Sequence, residues 1–121
     1  MKLNIRVSEP AEITKKRTLE QARKVDAGQD VEPLCEIGFE DLPQFFETLT
    51  PKRWELIAAL KEAGPLTIYA LAKRLDRHYR NVYRDIVTLT EWMLAEKDDQ
   101  GRVFVPWDEI DLQLLFMRGA A

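Results

Sequence analysis

Residues 50–106 read TPKRWELIAALKEAGPLTIYALAKRLDRHYRNVYRDIVTLTEWMLAEKDDQGRVFVP, a stretch in which signals for successive helices follow one another. Thr50 and Pro51 predict the start of a first helix, because Thr caps helices and Pro fits their first position. Gly64 and Pro65 predict its end. Thr67 predicts the cap of a second helix. The predicted inward residues are Trp54, Ile57, Ala58 and Leu60 in the first helix and Ile68, Leu71, Ala72 and Leu75 in the second.

A tight turn and a third helix are predicted next. Asp76-Arg77-His78 form the turn, and Asp76 is expected to adopt a left-handed backbone, which Asp tolerates better than most residues. The third helix is predicted from about Tyr79 to Met93. Its inward residues, at helical spacing, are Val82, Ile86, Leu89 and Met93.

A β-hairpin is predicted after the third helix. Residues 94–98 form its first strand, residues 99–101 a turn that contains Gly101, and residues 102–105 the return strand with Val103 and Val105 facing inward. Pro106 ends the hairpin. Three helices followed by a hairpin predict an α+β fold, a winged helix-turn-helix in which the three-helix core carries the hairpin as its wing.

The segments on either side of this stretch predict further strands and helices. Residues 2–7 alternate in polarity and predict a strand, and Ser8 with Pro10 predicts the start of a polar helix that ends at Gly28. The sparse apolar residues of this helix are Ile13, Leu19, Ala22 and Val25. A second strand is predicted at residues 34–39 and a short helix after Asp41. A last strand is predicted from alternating apolar residues, Ile110, Leu112, Leu114 and Phe116.

The terminal strands and residues 35–39 are expected to form one small sheet, either within one chain or across a dimer axis, because a lone strand leaves backbone groups unpaired. The chain accordingly divides into three predicted regions. Residues 1–49 are an N-terminal strand-helix-strand extension for dimerisation or partner binding, residues 50–106 the DNA-binding domain, and residues 107–121 a C-terminal strand and tail.

Composition limits the classes of protein to consider. The single cysteine, Cys35, excludes a disulfide framework, and no segment resembles a signal peptide or a membrane span, so a soluble cytoplasmic protein without membrane association is expected. A single histidine, His78, and the lack of nucleophile motifs or Gly-rich phosphate loops argue against an enzyme, a metal site and a cofactor. The net charge is −3, yet residues 50–93 carry eight Lys and Arg against five Asp and Glu. A local basic surface matters more for DNA binding than the total charge.

The third helix carries the residues expected to contact DNA. Arg80, Asn81 and Arg84 are predicted to read bases, since Arg suits the guanine edge and Asn the adenine edge. Contacts with the DNA backbone are predicted for Lys52, Arg53, Thr67, Arg77, His78, Tyr79, Tyr83, Thr88 and Arg102. The alternative is a winged-helix adaptor that binds protein. Against it, the outward side of this helix is expected to show no apolar residue beyond two Tyr.

Residues 39–112 resemble the MarR-like winged-helix regulators of archaea and bacteria. Most of the resemblance lies in Thr50-Pro51-Lys52-Arg53 and in Tyr79-Arg80-Asn81-Val82-Tyr83-Arg84-Asp85. The resemblance implies transcriptional regulation by binding double-stranded DNA as a homodimer, and autorepression as the antitoxin of a toxin–antitoxin pair, with a cognate toxin as partner. Asp76 and Met93 stand where such sequences often have Gly, which concerns local backbone geometry and removes no DNA-contacting residue.

Overall fold

The computed structural model describes residues 1–29 and 35–114 as an α+β protein. These residues form five helices, one three-stranded sheet and one two-stranded sheet. In chain order they are β1 (Lys2–Val7), α1 (Ala11–Asp26), β2 (Cys35–Phe39), α2 (Leu42–Thr48), α3 (Pro51–Ala63), α4 (Ile68–Arg74), α5 (Tyr79–Glu91), β3 (Glu96–Lys97), β4 (Val103–Phe104) and β5 (Glu109–Leu114). Within the described ranges, every helix is too short or too polar to cross a membrane.

The chain divides into two compact units. The first unit consists of Met1 and Phe46–Asp108, and the second of Lys2–Phe45 with Glu109–Ala121, of which the structure describes the part up to residue 114. Leu34 and Phe116, which the sequence assigns to strands, lie outside the described residues. The roles predicted for residues 1–49, 50–106 and 107–121 stay predictions.

Helices α3 and α4 begin at the predicted caps. The Thr50 hydroxyl accepts a hydrogen bond from the backbone N–H of Arg53 at 3.3 Å, and the Thr67 hydroxyl accepts one from Ala70 at 3.1 Å. Each bond satisfies a backbone donor that has no partner within its helix. Gly64 ends α3 with a φ of 81°, in the left-handed region that favours glycine.

The core of the first unit lies between α3, α4 and α5. Its buried residues on these helices are Leu56, Ile57, Ala59, Leu60, Ile68, Leu71, Ala72, Val82, Ile86 and Leu89. Helix α3 presents a slightly different face from the predicted one, because Leu56 and Ala59 are buried whereas Ala58 is exposed. The inward position predicted for Met93 is wrong: α5 ends at Glu91, and Met93 has a φ of 63°, so helical spacing no longer applies to it.

The turn between α4 and α5 has the left-handed residue that the sequence predicts. Asp76 has a φ of 51°, and the backbone N–H of Arg77 donates to the carbonyl of Ala72 at 2.9 Å. This bond satisfies a carbonyl at the end of α4 and reverses the chain. Helix α5 therefore starts directly after a short, hydrogen-bonded turn.

A hairpin follows α5, as predicted, with shorter strands. Strands β3 and β4 pair antiparallel, and the Asp98 carboxylate accepts hydrogen bonds from the backbone N–H groups of Gln100 and Arg102, both at 2.9 Å. The hairpin is joined to the segment that precedes α4, because Leu66 and Val103 exchange two backbone hydrogen bonds of 3.0 and 2.7 Å. This pairing fixes β4 beside the start of α4.

The second unit is built on a parallel sheet with the strand order β2-β1-β5. The sheet expected from the terminal strands and residues 35–39 is confirmed, and it forms within one chain. Leu3, Ile5 and Val7 on β1 are fully buried, and they align with Ile110, Leu112 and Leu114 on β5. Apolar side chains therefore share one face of the sheet, as the alternation in the sequence requires.

Helix α1 connects β1 to β2 and has no buried residue. It begins at Ala11 and not at Ser8, whose φ of 60° is outside the helical region. Its Ile13, Leu19 and Val25 are exposed, while Thr14 and Arg17 are half-buried. The polar side of this helix faces the protein, because Arg17 binds carboxylates on neighbouring segments, Glu9 and Glu36.

Candidate functional site

Helix α5 presents basic residues on the side opposite to its buried ones. Val82, Ile86 and Leu89 are buried, and the helical spacing places Arg80 and Arg84 one turn apart on the outward side. Both arginines are exposed. Neither makes an ion pair with any residue that the structure describes. Their guanidinium groups are consequently available to an anion or to a base edge.

Two of the three residues predicted to read bases, Asn81 and Arg84, line a groove. Arg80, Asn81 and Arg84 are all exposed in the N-terminal half of α5. The groove, which we call the basic groove, runs between the start of α3 and this half of α5. Its lining residues are Thr50, Pro51, Lys52, Arg53, Arg77, Asn81, Arg84 and Asp85. The structure thus brings Lys52, predicted as a backbone contact, to the same surface as Asn81 and Arg84.

Two arginines that are predicted to contact the DNA backbone, Arg53 and Arg77, form ion pairs within the protein. Arg53 Nε donates to Asp85 Oδ1 at 3.1 Å, and Arg77 Nη2 donates to Asp85 Oδ2 at 2.7 Å. Asp85 is not among the residues that the sequence predicts to contact DNA. Arg53 lies 32 residues from Asp85, and no local pattern links two residues at such a separation. Only the fold makes this carboxylate the partner of both arginines.

Aromatic residues flank the basic side of α5. The rings of Tyr79 and Tyr83 stack with centroids 6.2 Å apart, and both side chains are exposed. A second depression lies between α4 and the start of α5, with Tyr69, Lys73, His78 and Tyr79 among its lining residues. Such side chains combine an apolar body with polar ends, which suits contact with sugars and phosphates.

Three further residues predicted to contact the DNA backbone differ in their exposure and hydrogen bonds: Thr67, His78 and Thr88. Thr67 caps α4 with its hydroxyl and is exposed. His78 stands at the N-cap of α5, exposed and without a side-chain capping bond. Thr88 is half-buried, and its hydroxyl donates to the carbonyl of Arg84 at 3.4 Å. Thr67 and His78 are therefore more accessible to a ligand than Thr88.

Arg102 lies in the hairpin and is exposed. Its Nε donates to the Asp98 carboxylate at 2.9 Å. The hydrogen bond from the backbone N–H of Arg102 is the main cause that holds the pKa of the Asp98 carboxyl below its ordinary value. The hydrogen bond from the backbone N–H of Gln100 adds to this effect. The carboxylate thus stabilises the turn, and the Arg102 side chain beside it is 44% exposed.

One prediction about the outward side of α5 is wrong, because Val87 is exposed there. The sequence predicts an outward side with no apolar residue beyond Tyr79 and Tyr83, but Val87 is 39% exposed. Val87 lies between the two buried positions Ile86 and Leu89 in sequence, and helical spacing turns it away from them. The outward side of α5 is therefore basic and aromatic, with one aliphatic residue.

The arrangement is suited to binding an extended anion. Lys52, Arg80 and Arg84 provide positive charge, and the N-terminus of α3 adds the partial positive charge of its free backbone N–H groups. Within residues 1–29 and 35–114, no group of three or more His, Cys, Asp and Glu is arranged to hold a metal ion.

Comparison with known proteins gives a family. The family model described as HVO_A0114 matches residues 48–112, more than half of the chain. This match includes α3, α4, α5, the hairpin and most of β5. Neither a curated protein nor a solved structure matches the sequence. By the extent of the model match, the chain belongs to the HVO_A0114 family.

Proposed function

We propose that this protein is a sequence-specific regulator of transcription that binds double-stranded DNA through a winged helix-turn-helix. In this proposal α4 and α5 are the helix-turn-helix, α5 enters the major groove and the β3–β4 hairpin is the wing. The short turn at Asp76 and the pairing of Leu66 with Val103 support this assignment. The width of the major groove admits one α-helix.

The observation that carries the proposal is the pair Arg80 and Arg84. Both lie in the N-terminal half of α5, exposed and without an ion-pair partner among the described residues. In a helix-turn-helix, the N-terminal residues of the second helix contact base edges. Arg binds the guanine edge through two hydrogen bonds, and each such contact contributes about 1–3 kcal/mol of discrimination. Asn81 beside them suits adenine.

The test is a fluorescence anisotropy titration. The DNA upstream of the protein's own gene would be compared with a scrambled duplex at two salt concentrations, using the wild type and the variant Arg80→Ala/Arg84→Ala. We expect the wild type to prefer the upstream DNA and to bind less tightly at higher salt. The double variant should lose this preference, by about tenfold or more in the ratio of the two Kd values.

A charge-matched variant serves as the control. Arg23→Ala/Lys24→Ala removes two exposed positive charges from α1. This variant should keep the wild-type preference for the upstream DNA, because α1 has no part in the proposed reading of bases. Equal discrimination by Arg80→Ala/Arg84→Ala and the wild type would contradict the assignment of α5 as the reading helix.

Dimerisation through β5 completes the proposal. This edge strand exposes Leu112 and Leu114, with 46% and 43% of their surfaces accessible. If two β5 strands pair antiparallel about a two-fold axis at Leu112, Ile110 lies opposite the partner's Leu114 and Asp111 opposite the partner's Gln113. The apolar residues then meet and no like charges face each other. A two-fold axis also fits a palindromic DNA site.

Light scattering after size exclusion tests this interface. Leu112→Lys should convert a dimer into a monomer, whereas Leu19→Lys, the same change at an exposed position of α1, should leave the dimer intact. A wild type that is monomeric, or a Leu112→Lys variant that stays dimeric, would remove β5 from the proposal.

An adaptor that binds another protein is the second candidate. Tyr79, Tyr83 and Val87 favour it, since exposed aromatic and aliphatic residues are enriched in the cores of protein interfaces. The same titration separates the candidates, because an adaptor should show little DNA affinity at either salt concentration. Autorepression and a toxin partner rest on the resemblance of the sequence. Binding to the upstream DNA would support the first, and co-purification with the product of the adjacent gene the second.

A further inference from the structure

One carboxylate holds two arginines beside the basic groove. Asp85 accepts from Arg53 through one oxygen at 3.1 Å and from Arg77 through the other at 2.7 Å. The exposed fraction of the side chain is 16% for Asp85, 17% for Arg53 and 14% for Arg77. Because these side chains are largely removed from water, the attraction between their charges is screened less than on an open surface. We call Arg53, Asp85 and Arg77 the charge triad.

The charge triad joins separate segments of the first unit. Arg53 belongs to the first turn of α3, and its Nη1 also donates to the backbone carbonyls of Thr48 at 2.6 Å and Glu47 at 3.3 Å. Arg77 lies in the turn before α5, and Asp85 in the middle of α5. Both arginines are consequently directed to partners within the protein, although they line the basic groove.

The bonding of Arg77 is incomplete. Its Nη1 is buried and has no hydrogen-bond partner among the described residues. A guanidinium group with a free donor can still turn towards a phosphate if its carboxylate partner is removed. In this structure the ion pair with Asp85 holds the Arg77 guanidinium within the protein.

We propose that Asp85 sets the specificity of DNA binding by withholding Arg53 and Arg77 from phosphates. This inference rests on the proposed function. Contacts with phosphate raise the affinity for every DNA sequence alike, whereas contacts with base edges discriminate between sequences. While Asp85 binds both arginines, Arg80 and Arg84 contribute a larger share of the free energy of DNA binding. If these ion pairs break, Arg53 and Arg77 add affinity for phosphates that carries no sequence information.

The decisive variant is Asp85→Asn, which keeps the shape of the side chain and removes its charge. Each additional phosphate contact makes log Kd depend more steeply on log salt, by about 0.9. We therefore expect this slope, measured with scrambled duplex, to increase by about 1 to 2. The affinity for scrambled duplex should rise about tenfold at low salt, and the preference for the upstream DNA should fall.

Two further variants distinguish release of the arginines from a general change of charge. Asp76→Asn removes one negative charge from the neighbouring turn without breaking the charge triad, and Asn tolerates the left-handed backbone there. It should change the slope little. Asp85→Glu keeps the carboxylate and should restore most of the wild-type preference. In Asp85→Asn/Arg77→Gln one released arginine is lost, so the slope should fall back by about 1.

A measurement on the wild type avoids any variant that fails to fold. The NMR signal of Arg53 Nε–H should keep its chemical shift when DNA is added, because its bond to Asp85 persists, whereas the signals of Arg80 and Arg84 should move. A shift of the Arg53 signal as large as theirs would overturn the inference.

The remaining outcomes are also decisive. If Asp85→Asn lowers the thermal midpoint but matches Asp76→Asn in slope and in sequence preference, Asp85 only stabilises the fold and the inference fails. If the wild type binds DNA and the variants behave as expected, Asp85 is a positioning residue for specificity. A wild type without affinity for DNA overturns the proposed function, and this inference with it.

Discussion

Helices α5 and α1 are held to their neighbours by different forces. Helix α5 buries three apolar residues and leaves its basic residues outside. Helix α1 buries none, and it contacts its unit through Arg17, which binds Glu9 and Glu36. Apolar burial stabilises in proportion to the area removed from water, whereas an ion pair first has to overcome the desolvation of its charges. Helix α5 should therefore be anchored more firmly than α1.

The two helices also use their arginines for different purposes. Arg17 is bound by two carboxylates within the protein, and its Nε is buried without a partner among the described residues. Arg80 and Arg84 on α5 are left to solvent. Helix α1 also exposes Lys16, Arg23 and Lys24, but its Arg17 is used to hold the helix in place. Helix α5 is held by apolar contacts, so Arg80 and Arg84 are both left to a ligand.

The largest expected effect is that of Leu89→Ala in α5. Leu89 is fully buried, so the truncation should lower the free energy of unfolding by about 2–5 kcal/mol. Leu19→Ala in α1, where the leucine is half exposed, should change it by about 0.5 kcal/mol or less.

The three tryptophans of the chain, Trp54, Trp92 and Trp107, all lie in the first unit. Urea unfolding followed by tryptophan fluorescence therefore reports on that unit, and far-UV circular dichroism reports on both. Comparable losses from Leu89→Ala and Leu19→Ala would contradict the difference between the helices.

A smaller effect is expected from Arg17→Ala. The substitution leaves Glu9 without its ion-pair partner and Glu36 with Arg6 alone, at 3.5 Å. The expected loss is about 1–3 kcal/mol, below that of a fully buried pair. Lys16→Ala, at an exposed neighbouring position, should have almost no effect.

The readout for Arg17→Ala is the hydrogen exchange of β1 amides, which lie in the second unit. Faster exchange there, with tryptophan fluorescence unfolding unchanged, is expected. Protection at wild-type level in Arg17→Ala would show that α1 does not depend on this arginine.

The smallest expected effect is the loss of stability in the second unit as the pH falls. The hydrogen bond from Arg17 is the main cause that lowers the pKa of the Glu9 carboxyl from 4.5. Because this pKa is lower in the folded state, the contribution of Glu9 to stability is fully present above the unfolded-state pKa. It is lost as pH falls through the folded-state pKa.

Hydrogen exchange of β1 between pH 7 and pH 3, corrected for intrinsic rates, should therefore show a loss of protection in acid. Arg17→Ala removes the cause of the shift, so part of this acid dependence should disappear. An equal acid dependence in Arg17→Ala and the wild type would exclude the Glu9–Arg17 pair as its origin.

Much of the local structure could be predicted from the sequence. The caps at Thr50 and Thr67 follow from hydroxyl groups that bond to the backbone three residues further on. The left-handed backbone at Asp76 follows from the tolerance of Asp for this conformation, and the hairpin turn from Gly101. Alternation in the terminal strands identified the sheet. The inward position of Met93 failed because a helical spacing was continued past the end of the helix.

The candidate site was predicted only in part. The exposure of Arg80, Asn81 and Arg84 follows from helical spacing alone. Spacing does not tell whether an arginine is free or bound to a distant acid. Arg53 and Arg77 were consequently grouped with the other backbone contacts, although Asp85 binds both.

The helices, the hairpin and the basic outward side of α5 could be predicted because caps, turns and periodicity act over a few residues. Three features become visible only in the folded protein: Asp85 holds two arginines, Arg17 joins α1 to Glu36, and the terminal strands pair in parallel within one chain. These features depend on distances between residues far apart in sequence, and charge or polarity alone does not specify which of several partners is reached. Features set by local backbone preferences can therefore be predicted from the sequence, whereas the pairing of distant residues cannot.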